Sequence, residues 1–151
     1  MNWPEVIVAL HLPSADDPTQ MTGITIERGR LAGPVNRPAE NPPNRVWVAH
    51  HGNPHVARWL DNLNTPPAGI IDTNALAQLT YPAATSHALD DLTRTRALNL
   101  SDTPWQHRPA QATALLLLHM AKQYRHWTEL AEAARGSAPT SPPARTSTED
   151  A

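Results

Sequence analysis

The chain of 151 residues has no cysteine and no phenylalanine, and a single lysine, Lys122, against eleven arginines. Without cysteine there are no disulfides and no thiolate metal sites, which fits a reducing, cytoplasmic setting. No apolar run reaches the roughly 18 residues that a membrane helix needs. The first residues, MNWPEVIVALHL, lack a basic n-region and carry Glu5 ahead of the apolar stretch, so they do not read as a signal peptide. Net charge is also scarce. At −2 the chain has no global attraction for nucleic acid, and any such binding needs a local patch. The scarcity of lysine beside abundant Ala, Arg and Pro reads as source bias with little mechanism in it.

Proline, by contrast, is abundant, with sixteen residues gathered mainly near the start, over 34–43 and in the last stretch. At 40% hydrophobic and 17% charged, the composition is that of one ordinary globular domain. We expect that domain over 1–136, followed by a disordered tail over 137–151 that has no large apolar side chain to bury.

Residues 5–12, EVIVALHL, read as a buried strand. MTGITIERG alternates Ile24 and Ile26 with Thr25 and Glu27, and Gly29 offers a hairpin turn into a short strand near RLAGPV. NRPAENPPN is too rich in proline for regular structure. RVWVA is a strand and PHVARWLDNL a short helix. PPAGIIDT is a strand ending in Asp72 and Thr73, either of which can cap the helix NALAQL. A further helix is expected over SHALDDLTRTRAL, with Ser86 as its N-cap and Leu89, Leu92 and Leu98 on its buried side. The longest helix is expected to run unbroken from PAQATALLLLHM through AKQYRHWTELAEAAR to Gly136. Hairpin strands followed by strand–helix alternation imply an α/β domain with a mixed β-sheet flanked by helices.

The stretch IIDTNALAQLTYPAATSHALDDLTRTRALN, followed by HRPAQATALLLLHM, resembles the DEDDh family of 3′–5′ exonucleases, the DnaQ-like proofreading type. That family shows an apolar strand ending in Asp-Thr, a helix, a Tyr/Phe-Pro pair, a Ser-His-x-Leu-x-x-Leu helix and a His-Arg-Ala motif opening the last helix. VWVAHHGNPHVARWL, residues 46–60, is similar to its second motif, and VIVALHLPSA occupies the place of its first. The likeness spans about 5–130, densely after 70, with a helix of the family missing before Arg45. It implies a ribonuclease-H-like exonuclease fold, and chemistry in which four carboxylates hold two divalent ions while a histidine acts as general base.

Carried over residue by residue, the resemblance puts His107 at the general-base position and His50 on the second motif's histidine. The four metal-ligand positions are held by His11, Pro13, His55 and Ala112, none of them a carboxylate. Mg²⁺ demands hard oxygen ligands, so the two-metal mechanism is not expected here, and no cofactor is expected. His11, His55 and His107 converge on one cleft in such a fold. Three imidazoles there would suit Zn²⁺ or Mn²⁺, although Pro13 and Ala112 favour simple loss of the site.

His50 and His51 either pack against strand ends or contact phosphate. His119 and His126, seven apart, share one face of the long helix as a half-buried seam. Trp47, Trp59, Trp105 and Trp127 are core residues first, and a tryptophan near the cleft would stack on a base. Over 73–126 the charges are Arg94, Arg96, Arg108, Lys122 and Arg125 against Asp90, Asp91 and Asp102, a mild excess of +2. Arg108, next to the base position, is the candidate phosphate contact.

Three functions follow. The first is a catalytically inactive exonuclease-like module binding single-stranded DNA or RNA, or a replication or repair protein, through the former cleft. The second is an active phosphodiesterase with a rebuilt histidine–metal centre, and the third a purely structural, partner-binding protein. None involves a membrane.

Overall fold

A computed structural model describes residues 1–11, 21–36, 46–50, 69–100 and 107–136. Pro13, His51, His55, Trp59, Trp105, the expected helix after His55, the proline-rich 37–45 segment and the 137–151 tail lie outside the described residues.

Five strands form one mixed sheet, β1 (Val6–His11), β2 (Thr22–Glu27), β3 (Arg30–Asn36), β4 (Val46–Ala49) and β5 (Gly69–Asp72), in the order β3-β2-β1-β4-β5. β1 pairs antiparallel with β2 and parallel with β4, and β4 pairs parallel with β5. The unbroken apolar run of β1 now has its reason: the strand is central, and both of its faces are buried. Ile7 and Ala9 point to the helix-covered face with Ile24, Ile26, Val48 and Ile71, while Val8 and Leu10 join Met21, Trp47 and Ala49 on the other face.

The β2–β3 hairpin turns on Arg28 and Gly29, both at positive φ (53° and 81°), with Glu27 paired to Arg30. Two central residues at positive φ make a type I′ turn, whose twist matches that of the strands it joins. On β3 an extra residue bulges between the partners of Ile24 and Ile26. The Thr25 hydroxyl fills the gap, donating to the Gly33 carbonyl (3.2 Å) and accepting from the Gly33 N–H (3.3 Å). Pro34 is tolerated because β3 is an edge strand.

Four helices are described: α1 (Thr73–Thr80), α2 (Leu89–Thr95), α3 (Arg108–Ala121) and α4 (Trp127–Gly136). Asp72 caps α1, its Oδ1 accepting from the Asn74 N–H at 2.9 Å. α2 begins later than expected. Its N-cap is Ala88, and the Ser86 Oγ accepts instead from the Ala88 N–H (3.2 Å), closing a turn ahead of the helix. Leu92 is fully buried, as its spacing implies.

The single long helix expected up to Gly136 is two helices. A straight helix over 108–136 would run about 43 Å, far past the end of a strand. The chain instead tightens after α3, with Gln123 donating to the Met120 carbonyl and Tyr124 to that of Ala121, both at 3.0 Å. Glu129 Oε1 then accepts from the Arg125 and His126 N–H groups at 3.3 and 3.2 Å and starts α4. The Trp127 ring meets Trp3 at 5.5 Å between centroids, the Trp127 backbone N–H donates to Asn2 Oδ1, and α4 packs on α1 and β5 through Leu130 and Ala134. This break also separates His119, half-buried on α3, from His126, exposed in the turn, so the two form no common seam. Among the described residues no helix is long and apolar enough to cross a membrane.

Candidate functional site at the carboxyl ends of the parallel strands

β1, β4 and β5 run in one direction, so His11, His50 and Asp72 mark one edge of the sheet, where α1 also begins. Two ties bring the start of α3 to the same edge. Its C-terminal part lies at the opposite edge, where His119 meets Tyr81 at the far end of α1 (6.3 Å between ring centroids) and the following turn delivers Trp127 to Trp3 ahead of β1. A 14-residue helix is about 20 Å long, roughly the length of β1, and α3 packs across β1, β2 and β4. Its first residue and the preceding His107 therefore stand at the His11 end.

His50 is 9% exposed, and both of its ring nitrogens are engaged inside the protein. Nδ1 lies 2.8 Å from Thr73 Oγ1 and Nε2 lies 2.7 Å from the His87 carbonyl oxygen. A carbonyl can only accept, so Nε2 carries the proton and, in the neutral ring, Nδ1 accepts from the Thr73 hydroxyl. Asn74 Nδ2 donates to the same His87 carbonyl at 3.1 Å, and its Oδ1 accepts from Gln78 Nε2 at 2.7 Å. The His87 ring bonds to the Tyr81 carbonyl through Nε2 at 2.9 Å. This network joins the end of β4, the start of α1 and the loop ahead of α2. Of the two roles weighed for His50, packing at the strand end is the one its hydrogen bonds describe. Phosphate contact would require breaking one of them.

His11, the last residue of β1, follows the face of Ile7 and Ala9 and is partly buried. Burial alone pushes its pKa below the usual 6.5, so the ring favours its neutral form. Ala112 is buried in the second turn of α3, and Arg108, half-buried, opens that helix.

His107 differs from every other histidine described. It is 5% exposed, and neither ring nitrogen has a hydrogen-bond partner among the described residues. A buried imidazole with both nitrogens unsatisfied runs against the strong tendency of buried polar groups to be paired.

The described residues do not fit a two-Mg²⁺ centre. The positions matched to carboxylates present an imidazole at His11 and a methyl group at Ala112, and the Asp72 carboxylate caps α1. Among the described residues, no three His, Cys, Asp or Glu side chains gather as metal ligands. His55 and Pro13 lie outside the described residues, and with them the full three-histidine set.

The Thr73–His50–His87 network was not foreseen, because its key acceptor is a main-chain carbonyl that any residue at position 87 would carry. The one signal in the sequence is Asp-Thr-Asn directly after an apolar strand, a pattern that by itself implies only a helix cap.

No protein-family model matches this chain, and no curated protein matches it. Among solved structures, the chain is similar to exonuclease X in complex with 5′-overhanging duplex DNA, with a TM-score of 0.57 and 16% identity over 85% of this chain and 98% of that one. At this identity the likeness is one of fold. What the two share is the mixed five-stranded α/β architecture.

Proposed function

We propose that this chain is a ribonuclease-H-like, exonuclease-like domain of the DEDDh type that has lost hydrolysis and holds single-stranded nucleic acid in the former active-site cleft. One observation carries the reading. Where carboxylates are expected at the end of β1 and in the second turn of α3, the chain has His11 and the buried methyl of Ala112. Each exchange removes a negative charge. The cleft then repels phosphate less strongly without metal ions, although the Asp72 carboxylate stands at the same edge, and Arg108 at the start of α3 favours the anion. The fold likeness to an exonuclease solved with DNA supports the same assignment.

The test is to incubate labelled single-stranded DNA and RNA with the purified chain and Mg²⁺, Mn²⁺ or Zn²⁺ in turn. No product is expected with any ion. Binding by fluorescence anisotropy should persist in chelator, weaken steeply with salt, and fall in Arg108→Ala. Hydrolysis that depends on a divalent ion and is lost in His107→Ala would overturn the reading.

That outcome would instead support a phosphodiesterase with a Zn²⁺ or Mn²⁺ centre built from His11, His55 and His107. Two observations favour this second reading: the neutral His11 ring, which is the ligating form, and the unpartnered nitrogens of His107.

A further inference from the structure

We propose that the solvent-facing stripe of α3 is a track for single-stranded nucleic acid. It carries the strand from Arg108 in the former active-site cleft to a second cluster of cations, Arg96, His119 and Lys122, at the opposite edge of the sheet. The inference rests on the reading of the cleft as a strand-binding site and extends the path of the strand beyond it.

α3 buries Ala110, Ala114, Leu117 and Ala121 and leaves one stripe accessible. Arg108, Gln111, Leu115, His119 and Lys122 recur every three or four residues and so share that stripe, and each is half-buried or exposed. The helix contains no acidic residue, so cations stand at both ends of the stripe with no opposite charge of the helix between them. A helix C-terminus favours a cation in any protein, which suits Lys122. Arg108 stands at the other end, where the dipole disfavours a cation, so the dipole is not the reason for both.

The far cluster is held in place by one ring. The Arg96 guanidinium carbon lies 3.9 Å from the Tyr81 centroid, and His119 meets the same ring at 6.3 Å. Stacking fixes the Arg96 fork without using its hydrogen-bonding edge. Of its three nitrogens only Nε is both buried and unpartnered, so the outer pair is open to an acceptor from solvent. Among the described residues no carboxylate pairs with Arg96. The acids closest in sequence are committed, Asp91 to Arg94 at 2.7 Å and Glu129 to the N–H groups of Arg125 and His126.

A linear polyanion matches this arrangement. The 14-residue helix is about 20 Å long, the reach of about six stacked nucleotides at roughly 3.4 Å each. A strand brings a phosphate at every step, and Leu115 and Leu118, half-buried along the way, offer its bases aliphatic surface. An acidic peptide would meet the far cluster alone, with no reason to continue to Arg108.

The experiment uses the full chain in chelator with labelled oligothymidylates of roughly 4 to 16 nucleotides, read by anisotropy across a salt series. We expect affinity to rise about 10- to 100-fold between the shortest and the longest strands, the scale of a few added phosphate contacts. In Arg96→Gln/Lys122→Gln the long strands should lose that gain, and their salt dependence should flatten by about 1.4 in log–log slope, two contacts at roughly 0.7 each. The shortest strands should bind the variant as they bind the native chain. Should the double variant fail to fold, Lys122→Glu on its exposed residue gives the same comparison. Equal affinity at all lengths overturns the track and leaves cleft binding standing, and so does a length gain that survives the substitutions. Failure of every strand to bind overturns the track together with the strand-binding reading. If a polyglutamate peptide then binds the native chain and not the variant, the far cluster serves an acidic protein instead.

Discussion

The Nε2 atom of His50 and the carbonyl oxygen of His87 lie 2.7 Å apart, a hydrogen bond spanning 37 residues that ties the end of β4 to the loop ahead of α2. With Thr73 on the other ring nitrogen, it makes His50 a joint of the fold at the same sheet edge as the candidate site.

Replacing His50 with alanine removes both bonds, leaving the His87 carbonyl to Asn74 Nδ2 alone and the Thr73 hydroxyl to a long 3.5 Å contact with the Ala49 carbonyl. We expect a loss of about 2–4 kcal/mol in urea-induced unfolding. Thr73→Val should lose less, since it breaks only one of the two bonds. A loss below about 0.5 kcal/mol for His50→Ala would show the network to be incidental.

Gly29 sits at φ +81°, and a Cβ there would lie 2.6 Å from Trp3 Nε1. Gly29→Ala therefore combines a strained turn with displacement of a ring that packs on Trp127. Destabilisation of about 1–3 kcal/mol is expected, with a change in tryptophan fluorescence. Gly33→Ala is the control, because a Cβ there meets nothing within 4 Å.

His11 gives stability a defined pH dependence. Burial holds its folded pKa below 6.5, so the unfolded chain takes up the proton first as the solution is acidified. The contribution is complete above pH 6.5 and is lost as pH falls toward the depressed folded value. Denaturation midpoints measured downward from pH 8 should drop through this window more steeply for the native chain than for His11→Gln. Identical profiles would show that His11 is not the group responsible.

Restoring a carboxylate at position 112 should harm the protein. Ala112 is 3% exposed, so Ala112→Asp buries a charge with no designed partner, at about 3–5 kcal/mol. Neither Mg²⁺ nor Mn²⁺ should rescue stability or elicit hydrolysis, because His11 still stands at the end of β1. Recovery of the melting temperature with Mg²⁺ would mean that oxygen ligands remain elsewhere in the cleft.

Patterns confined to a few neighbouring residues were legible from the start. The continuous apolar run of β1, the Ile24/Ile26 alternation, the turn at Gly29 and a cap at Asp72 or Thr73 each depend on local stereochemistry. The end of the last helix misled, because residues 122–126 contain no proline or glycine, and the Glu129 carboxylate that starts α4 is equally at home inside a helix. The break comes from Trp3 and Asn2, more than 120 residues earlier, and from the faces of α1 and β5 that Leu130 and Ala134 cover. Ser86 misled for a smaller reason, its hydroxyl being taken by a turn one step before the helix.

By itself, the order of residues determined which chemical groups are present. Ala112 offers a methyl and His11 an imidazole wherever the chain places them, and no packing turns either into a carboxylate. Only the tertiary structure decided the condition of the groups that remain. His50 and His107 are both buried histidines, indistinguishable as letters, yet one has both nitrogens bonded and the other has neither. That difference arises from atoms far along the chain, the Thr73 hydroxyl and the His87 carbonyl, which reach one ring and not the other. Hydrogen bonding acts over about 3 Å of space without regard to sequence distance, so it was decided only when β4, β5 and the loop before α2 came together.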